Sequence, residues 1–204
     1  MAAGPTALPG TVDWSGENSL MSLKADPDGR FVTLASFFRV VYSPHGRGHA
    51  LVLLQSPNQI DAPADRANLC MTDNPPLARY LIAEFLAHFA AYKGLPGLAN
   101  LSFRPIDRVA ASGDPATAYH ETVEAGDLRV VLSWSKLGAP FTVVLTPDKS
   151  ATGRHHMPSL IIGSDDAFVT VNGRRLAGRP VPRDFAGRRI TSAMLAFSET
   201  WVRV

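Results

Sequence analysis

The sequence predicts a mainly β protein, an antiparallel barrel or strongly bent sheet with one long α-helix packed against it. Three observations point there. β-Branched and aromatic residues alternate with period two along most of the chain. Gly, Pro and Asn-Gly turn chemistry punctuates these runs at short intervals, as in a sandwich or barrel. One stretch carries a helical stripe instead.

Residues 30–43 form the first long alternating run. Phe31, Thr33, Ala35, Phe37, Arg39 and Val41 fall on one face, and Val32, Leu34, Ser36, Phe38, Val40 and Tyr42 on the other. A turn over 43–49 leads to a second strand, 50–56, and the two read as an antiparallel hairpin. The helix covers 75–92. Leu77, Leu81, Phe85 and Phe89 recur at i+4, flanked by Ile82, Leu86 and Tyr92. Asp73 or Asn74 can cap it, Pro75 and Pro76 suit its first turn, and Gly94 and Pro96 stop it. At about 1.5 Å per residue it would span roughly 27 Å.

Further strands are expected at 101–110, 117–124, 128–135, 141–145, 159–162, 168–171, 174–176 and 190–203. Ala125-Gly126-Asp127 closes one hairpin. Asn172-Gly173 closes another, because both central positions of a type I′ turn need positive φ. A helix competes over 192–201, but Met194, Leu195, Phe197 and Trp201 give no clean stripe, and the terminal Thr-Trp-Val-Arg-Val favours strand. In shape alone, with no shared motif, such a chain resembles lipocalin-like barrels.

The 204 residues fit one domain, read as a loose leader over 1–12 and a single β-rich domain over 13–204. A 46% hydrophobic content supplies a core without staples, and the lone Cys70 rules out an internal disulfide framework or a Cys-rich zinc module. Twenty Lys and Arg against 18 Asp and Glu leave a net charge of +2, so neither nucleic acid nor an anionic membrane is an expected partner. No apolar run is long enough for a membrane span, and the N-terminus lacks the basic and apolar regions of a secretory signal. A cytoplasmic location is expected.

Several motif classes are absent. The chain has no G-x-x-x-x-G-K-[ST], no G-x-G-x-x-G after a strand, no G-x-S-x-G, no H-E-x-x-H and no C-x-x-C. No cofactor is expected.

The candidate chemistry lies in charges placed on apolar faces. Glu199 shares a strand face with Ala193, Leu195, Phe197 and Trp201. Buried there, its pKa rises and it becomes an acid or base; at a strand end it is merely solvated or paired. Glu121 sits between Tyr119 and Val123, and Arg39 between Phe37 and Val41. If these converge in one lumen, they make a ligand site lined by Phe37, Tyr119, Trp134, Phe197 and Trp201, with Arg39 and Glu199 orienting a small apolar or weakly acidic molecule. A strand-to-strand salt bridge is the simpler alternative. An enzyme in the same cavity would use Glu199, Glu121 and His120 for proton transfer, as in an isomerase or lyase. A third reading is an interaction protein, a homodimer or larger homo-oligomer held by strand edges or arginines.

His45 and His49 fall in a turn, His155 and His156 are adjacent, and His88 lies beside the helical stripe. A shell completed by Glu121 or Asp166 is conceivable, but no spacing resembles a metal site and no metal is expected. The polar loop 146–157 carries Lys149 and Arg154 and reads as a surface loop, or else as a binding loop for an acidic ligand. Residues 174–189 hold six arginines against Asp184 alone, read as a solvated connection or a subunit contact.

Overall fold

The computed structural model describes residues 8–204, so most of the expected leader lies outside the described residues. The first strands are β1 (Thr11–Lys24), β2 (Phe31–Tyr42), β3 (Gly48–Leu54) and β4 (Leu69–Thr72). After the helix α1 (Pro75–Glu84) come β5 (Ser102–Pro105), β6 (Arg108–Asp114), β7 (Ala118–Ala125), β8 (Leu128–Leu137) and β9 (Phe141–Leu145). The chain ends with β10 (His155–Val171), β11 (Arg174–Arg175), β12 (Pro182–Phe185), β13 (Arg188–Thr191), β14 (Ala193–Phe197) and β15 (Glu199–Arg203).

One large sheet runs in the order β5-β4-β3-β2-β1-β14-β10-β8-β7-β6, antiparallel except for the parallel β4–β5 pair. The two ends of that order are consecutive in sequence. Ile106 N–H donates to Thr72 O (3.1 Å) and Asp107 N–H to Glu124 O (2.9 Å). One bent segment thus pairs with β4 at its start and with β7 at its end, and the sheet closes into a barrel without free edges there.

The alternation expected along 30–43 sorts β2 onto two cores. Ala35 and Phe37 point into the barrel with Met21, Leu51, Val123, Leu132, Trp134 and Leu195. Leu34, Phe38 and Val40 point outward, where they meet Trp14, α1 and Trp201. The barrel is therefore filled inside and also covered by apolar material over part of its outer wall. An Asn172-Gly173 turn with φ of 50° and 78° joins β10 to β11, as its sequence requires.

Three differences from the expected elements have physical causes. The helix ends at Glu84, not at 92, and a short 3-10 turn follows over Leu86–His88. Its N-cap is Asn74, whose side chain accepts from Leu77 N–H. At Phe85 the backbone leaves helical geometry (φ −131°, ψ −64°). The ring is wedged among Trp14, Tyr80, His155 and Trp201, at centroid distances of 5.1–5.9 Å, so tertiary packing overrides local propensity. The expected strands 159–162 and 168–171 are parts of the single strand β10. Its middle, Gly163-Ser164-Asp165-Asp166, looks turn-like but keeps extended pairing. The run 190–203 divides into β13, β14 and β15.

The alternation does not show β1, the strand at the centre of the sheet. Its sequence is polar, and register shifts at Val12/Trp14, Ser15/Gly16 and Leu23/Lys24 disturb the period. Among the described residues no helix is long and apolar enough to cross a membrane.

Candidate functional site

Arg39 and Glu121 converge, as their faces allow. Glu121, 1% exposed, lies on β7 across the barrel from Arg39 on β2, and Arg39 Nη2 donates to its two carboxylate oxygens at 2.9 and 3.0 Å. Glu17, the cross-strand neighbour of Arg39 on β1, takes a second bond from the same guanidinium. Tyr119 OH donates to Glu121 (3.2 Å), and its ring meets Phe197 edge-on at 5.5 Å. Burial raises the Glu121 pKa, opposed by Arg39. Burial lowers that of Arg39, but Glu121 and Glu17 outweigh it, and the net direction is upward. These partners satisfy one another at one end of the packed interior.

Glu199 does not join them. Ser198, between β14 and β15, adopts φ +62°, a bulge that interrupts the alternation. Leu195 and Phe197 keep the inward face, with Met194 and Ala196 outward; beyond the bulge, Trp201 packs with the outer group. The expected shared face of Phe197, Glu199 and Trp201 is thus broken, and the sheet wall separates Glu199 from Arg39.

On the outer wall Glu199 borders a cavity of about 430 Å³. Its floor is the outward face of β1, β14, β15 and β10, including Leu20, Ile161, Met194, Ala196 and Trp201. Residues 88–92, from the end of the short 3-10 turn onward, make one wall, and the loop carrying Lys149 and Ala151 makes another. The β12–β13 hairpin completes it with Arg183, Asp184, Phe185 and Ala186. That hairpin is a two-stranded sheet of its own, turning at Ala186-Gly187 and tied at its base by the Val181–Ser192 hydrogen bonds.

Glu199 is 4% exposed and pairs with no cation among the described residues. Trp201 Nε1–H donates to Oε1 (2.7 Å), and so does Asn18 Nδ2–H (3.4 Å), while Ser36 fixes Asn18 by donating to its Oδ1 (2.7 Å). Burial pushes the Glu199 pKa up to about 7, against the pull of those two donors. Two residues that border the cavity, Tyr92 and Ser22, carry buried side-chain oxygens with no hydrogen-bond partner among the described residues. Polar atoms left so are costly unless water or a ligand pairs them.

The remaining candidates are scattered. Phe37 and Trp134 are fully buried in the barrel interior, where Trp134 Nε1–H donates to Leu20 O (3.3 Å). His120 pairs with Ser133 Oγ at 3.0 Å, on the face of β7 opposite Glu121. His49 bonds Asp73 (2.7 Å), and His45 lies against Tyr80. His155 is held between Asp13 Oδ2 (2.8 Å) and Thr152 Oγ1 (2.6 Å), and burial lowers its pKa against the pull of Asp13. No three His, Cys, Asp or Glu side chains stand together as a metal shell among the described residues. Of the clustered arginines, Arg175 lies over Phe168, Arg188 over Phe141 and Arg183 over Phe185, while Arg189 pairs with Asp184.

Of the residues singled out from the sequence, Glu199 and Trp201 border the cavity, and so do Lys149 of the polar loop 146–157 and His88 beside the helical stripe. The sequence reading missed Asn18, Tyr92 and Arg183 there. Tyr92 was assigned to the helix and Arg183 to a solvated connection; Asn18 belongs to the polar strand β1. No family model, no curated protein and no solved structure matches this chain.

Proposed function

We propose that the protein binds a small, largely apolar molecule in the cavity on the outer wall of the barrel. The observation that carries this reading is Glu199, a buried carboxyl without a counter-ion among the described residues, facing an apolar cavity whose volume falls in the ordinary range for small-molecule sites, roughly 300–1,000 Å³. The ligand then carries at least one hydrogen-bonding group. The packed barrel interior, with Phe37 and Trp134 fully buried, supports this outer site over the lumen.

The test uses dodecanol, titrated while tryptophan emission is followed, because Trp201 lines the cavity. Saturable quenching is expected. Ala151→Trp, at an exposed rim position, should abolish it while leaving the circular dichroism unchanged. Unsaturable binding, or binding that the rim substitution leaves intact, overturns the reading.

A second reading rests on the same buried carboxyl. A carboxyl with its pKa near 7 is poised for proton transfer at neutral pH, so the bound molecule is then a substrate of an isomerase or lyase type of reaction. Turnover of candidate substrates that survives Glu199→Gln removes it. We further propose a cytoplasmic protein that forms a homodimer. The single buried thiol of Cys70 suits a reducing compartment, and exposed Val41 and Tyr42 at the end of β2 suit self-association. Cell fractionation and light scattering test the two points.

A further inference from the structure

The charges around the cavity are not evenly placed. Its floor holds the buried residues Glu199, Trp201, Met194 and Ala196. Its rim holds His88 and Lys149, both exposed, and the half-buried Arg183, contributed by three separate segments. Asp184 is the acid at that rim, and Arg189 engages it at 3.3 Å. Arg183 makes no ion pair among the described residues; its guanidinium lies over the Phe185 ring at 5.1 Å. Burial lowers its pKa with no carboxylate to oppose the shift. An arginine stays charged at any ordinary pH, so a half-buried, unpaired guanidinium beside an apolar cavity favours an anion.

We propose that the ligand is an amphipathic acid, a free monomeric molecule whose carboxylate is held at the rim by Arg183 and Lys149 and whose apolar chain runs inward toward Glu199. This rests on the cavity being a binding site. Charge and shape agree in the arrangement. The anion stays in a partly wet, positive rim, where it needs little desolvation. The chain replaces water on Leu20, Ile161 and Trp201. The reverse orientation would set a carboxylate against the Glu199 carboxyl, away from both cations.

The test compares dodecanoate, below its micelle concentration, with dodecanol. A hydrogen bond to a charged group is stronger than one between neutral groups, so dodecanoate should bind at least about tenfold more tightly. The double variant Arg183→Gln, Lys149→Gln should bring the ratio of dodecanoate to dodecanol affinity, both measured on that variant, close to one. In the unaltered protein, added salt should weaken dodecanoate binding but not dodecanol binding, which checks the same point without a variant. Equal affinities, or a preference that survives the double variant, overturn the proposal while leaving the cavity reading in place. Failure of both probes overturns the cavity reading itself. Binding to phosphatidylglycerol vesicles with none to dodecanoate overturns the proposal in favour of a membrane surface.

Discussion

Arg39 and Glu121 meet across the interior of the barrel, from β2 to β7, through two hydrogen bonds of 2.9 and 3.0 Å to one carboxylate. The pair links walls that are far apart in sequence. Because Glu17 shares the guanidinium, Arg39 is the only cation among three charged partners. Arg39→Met leaves Glu17 and Glu121 facing one another with no compensation. Stability should fall by roughly 3–5 kcal/mol, the usual cost of stranding a buried charge. Glu17→Gln should lose under about 1 kcal/mol, since Glu17 is 28% exposed and Glu121 keeps the arginine. Urea unfolding measures both, and an Arg39→Met loss as small as that of Glu17→Gln removes the pair from the account of stability.

Glu199 makes stability depend on pH in an unusual direction. Its folded pKa of about 7 lies above the ordinary 4.5. Between those values the folded state holds a proton that the unfolded state has released, so stability falls as pH rises. The stabilising contribution is complete below about 4.5 and lost once pH passes about 7. A displacement of that size corresponds to about 3 kcal/mol across the window. Glu199→Gln cannot titrate, so its stability should fall less than that of the unaltered protein over the same window. Denaturant midpoints at several pH values check this, and parallel curves for the two proteins contradict it.

Much of the barrel is legible because β7 and β8 alternate buried apolar with more polar positions, and β2 and β3 alternate without a break between two apolar faces, so the outcome follows from period alone. Three kinds of feature were not. β1 buries Asp13 and Asn18, whose side-chain hydrogen bonds are made with partners distant in sequence, together with Ser19 and Ser22. A local pattern carries no trace of those partners. The end of the helix depends on three rings from distant strands, those of Trp14, His155 and Trp201, closing around Phe85 together with Tyr80 of the helix itself. The Arg39–Glu121 meeting was readable from two charges on apolar faces. The departure of Glu199 was not, because one bulged residue reverses every position after it.

Phe85 should be among the most sensitive core positions. It is fully buried, and its ring contacts Trp14, Tyr80, His155 and Trp201, which join β1, α1, β10 and β15. Phe85→Ala removes that junction and should cost about 3–5 kcal/mol. Phe85→Leu keeps most of the volume and should cost less than half as much. Thermal unfolding separates the two, and near-equal losses point to backbone rearrangement at the helix end instead of a cavity.

Ser198 sets which face of the sheet carries Glu199, and its backbone sits at φ +62°, where L side chains are disfavoured. The left-handed conformation costs a non-glycine residue roughly 1–2 kcal/mol. Ser198→Gly should therefore be neutral or stabilising, by up to about 1 kcal/mol. Ser198→Val, branched at Cβ, should lose more than 1 kcal/mol, or should straighten the strand. Straightening would turn Glu199 and Trp201 inward, against the packed interior, and would empty the cavity floor. The two outcomes differ in Trp201 emission: strain alone leaves it unchanged at low temperature, whereas a reversed face shifts it. If Ser198→Val matches the unaltered protein in both stability and emission, the bulge does not fix the position of Glu199.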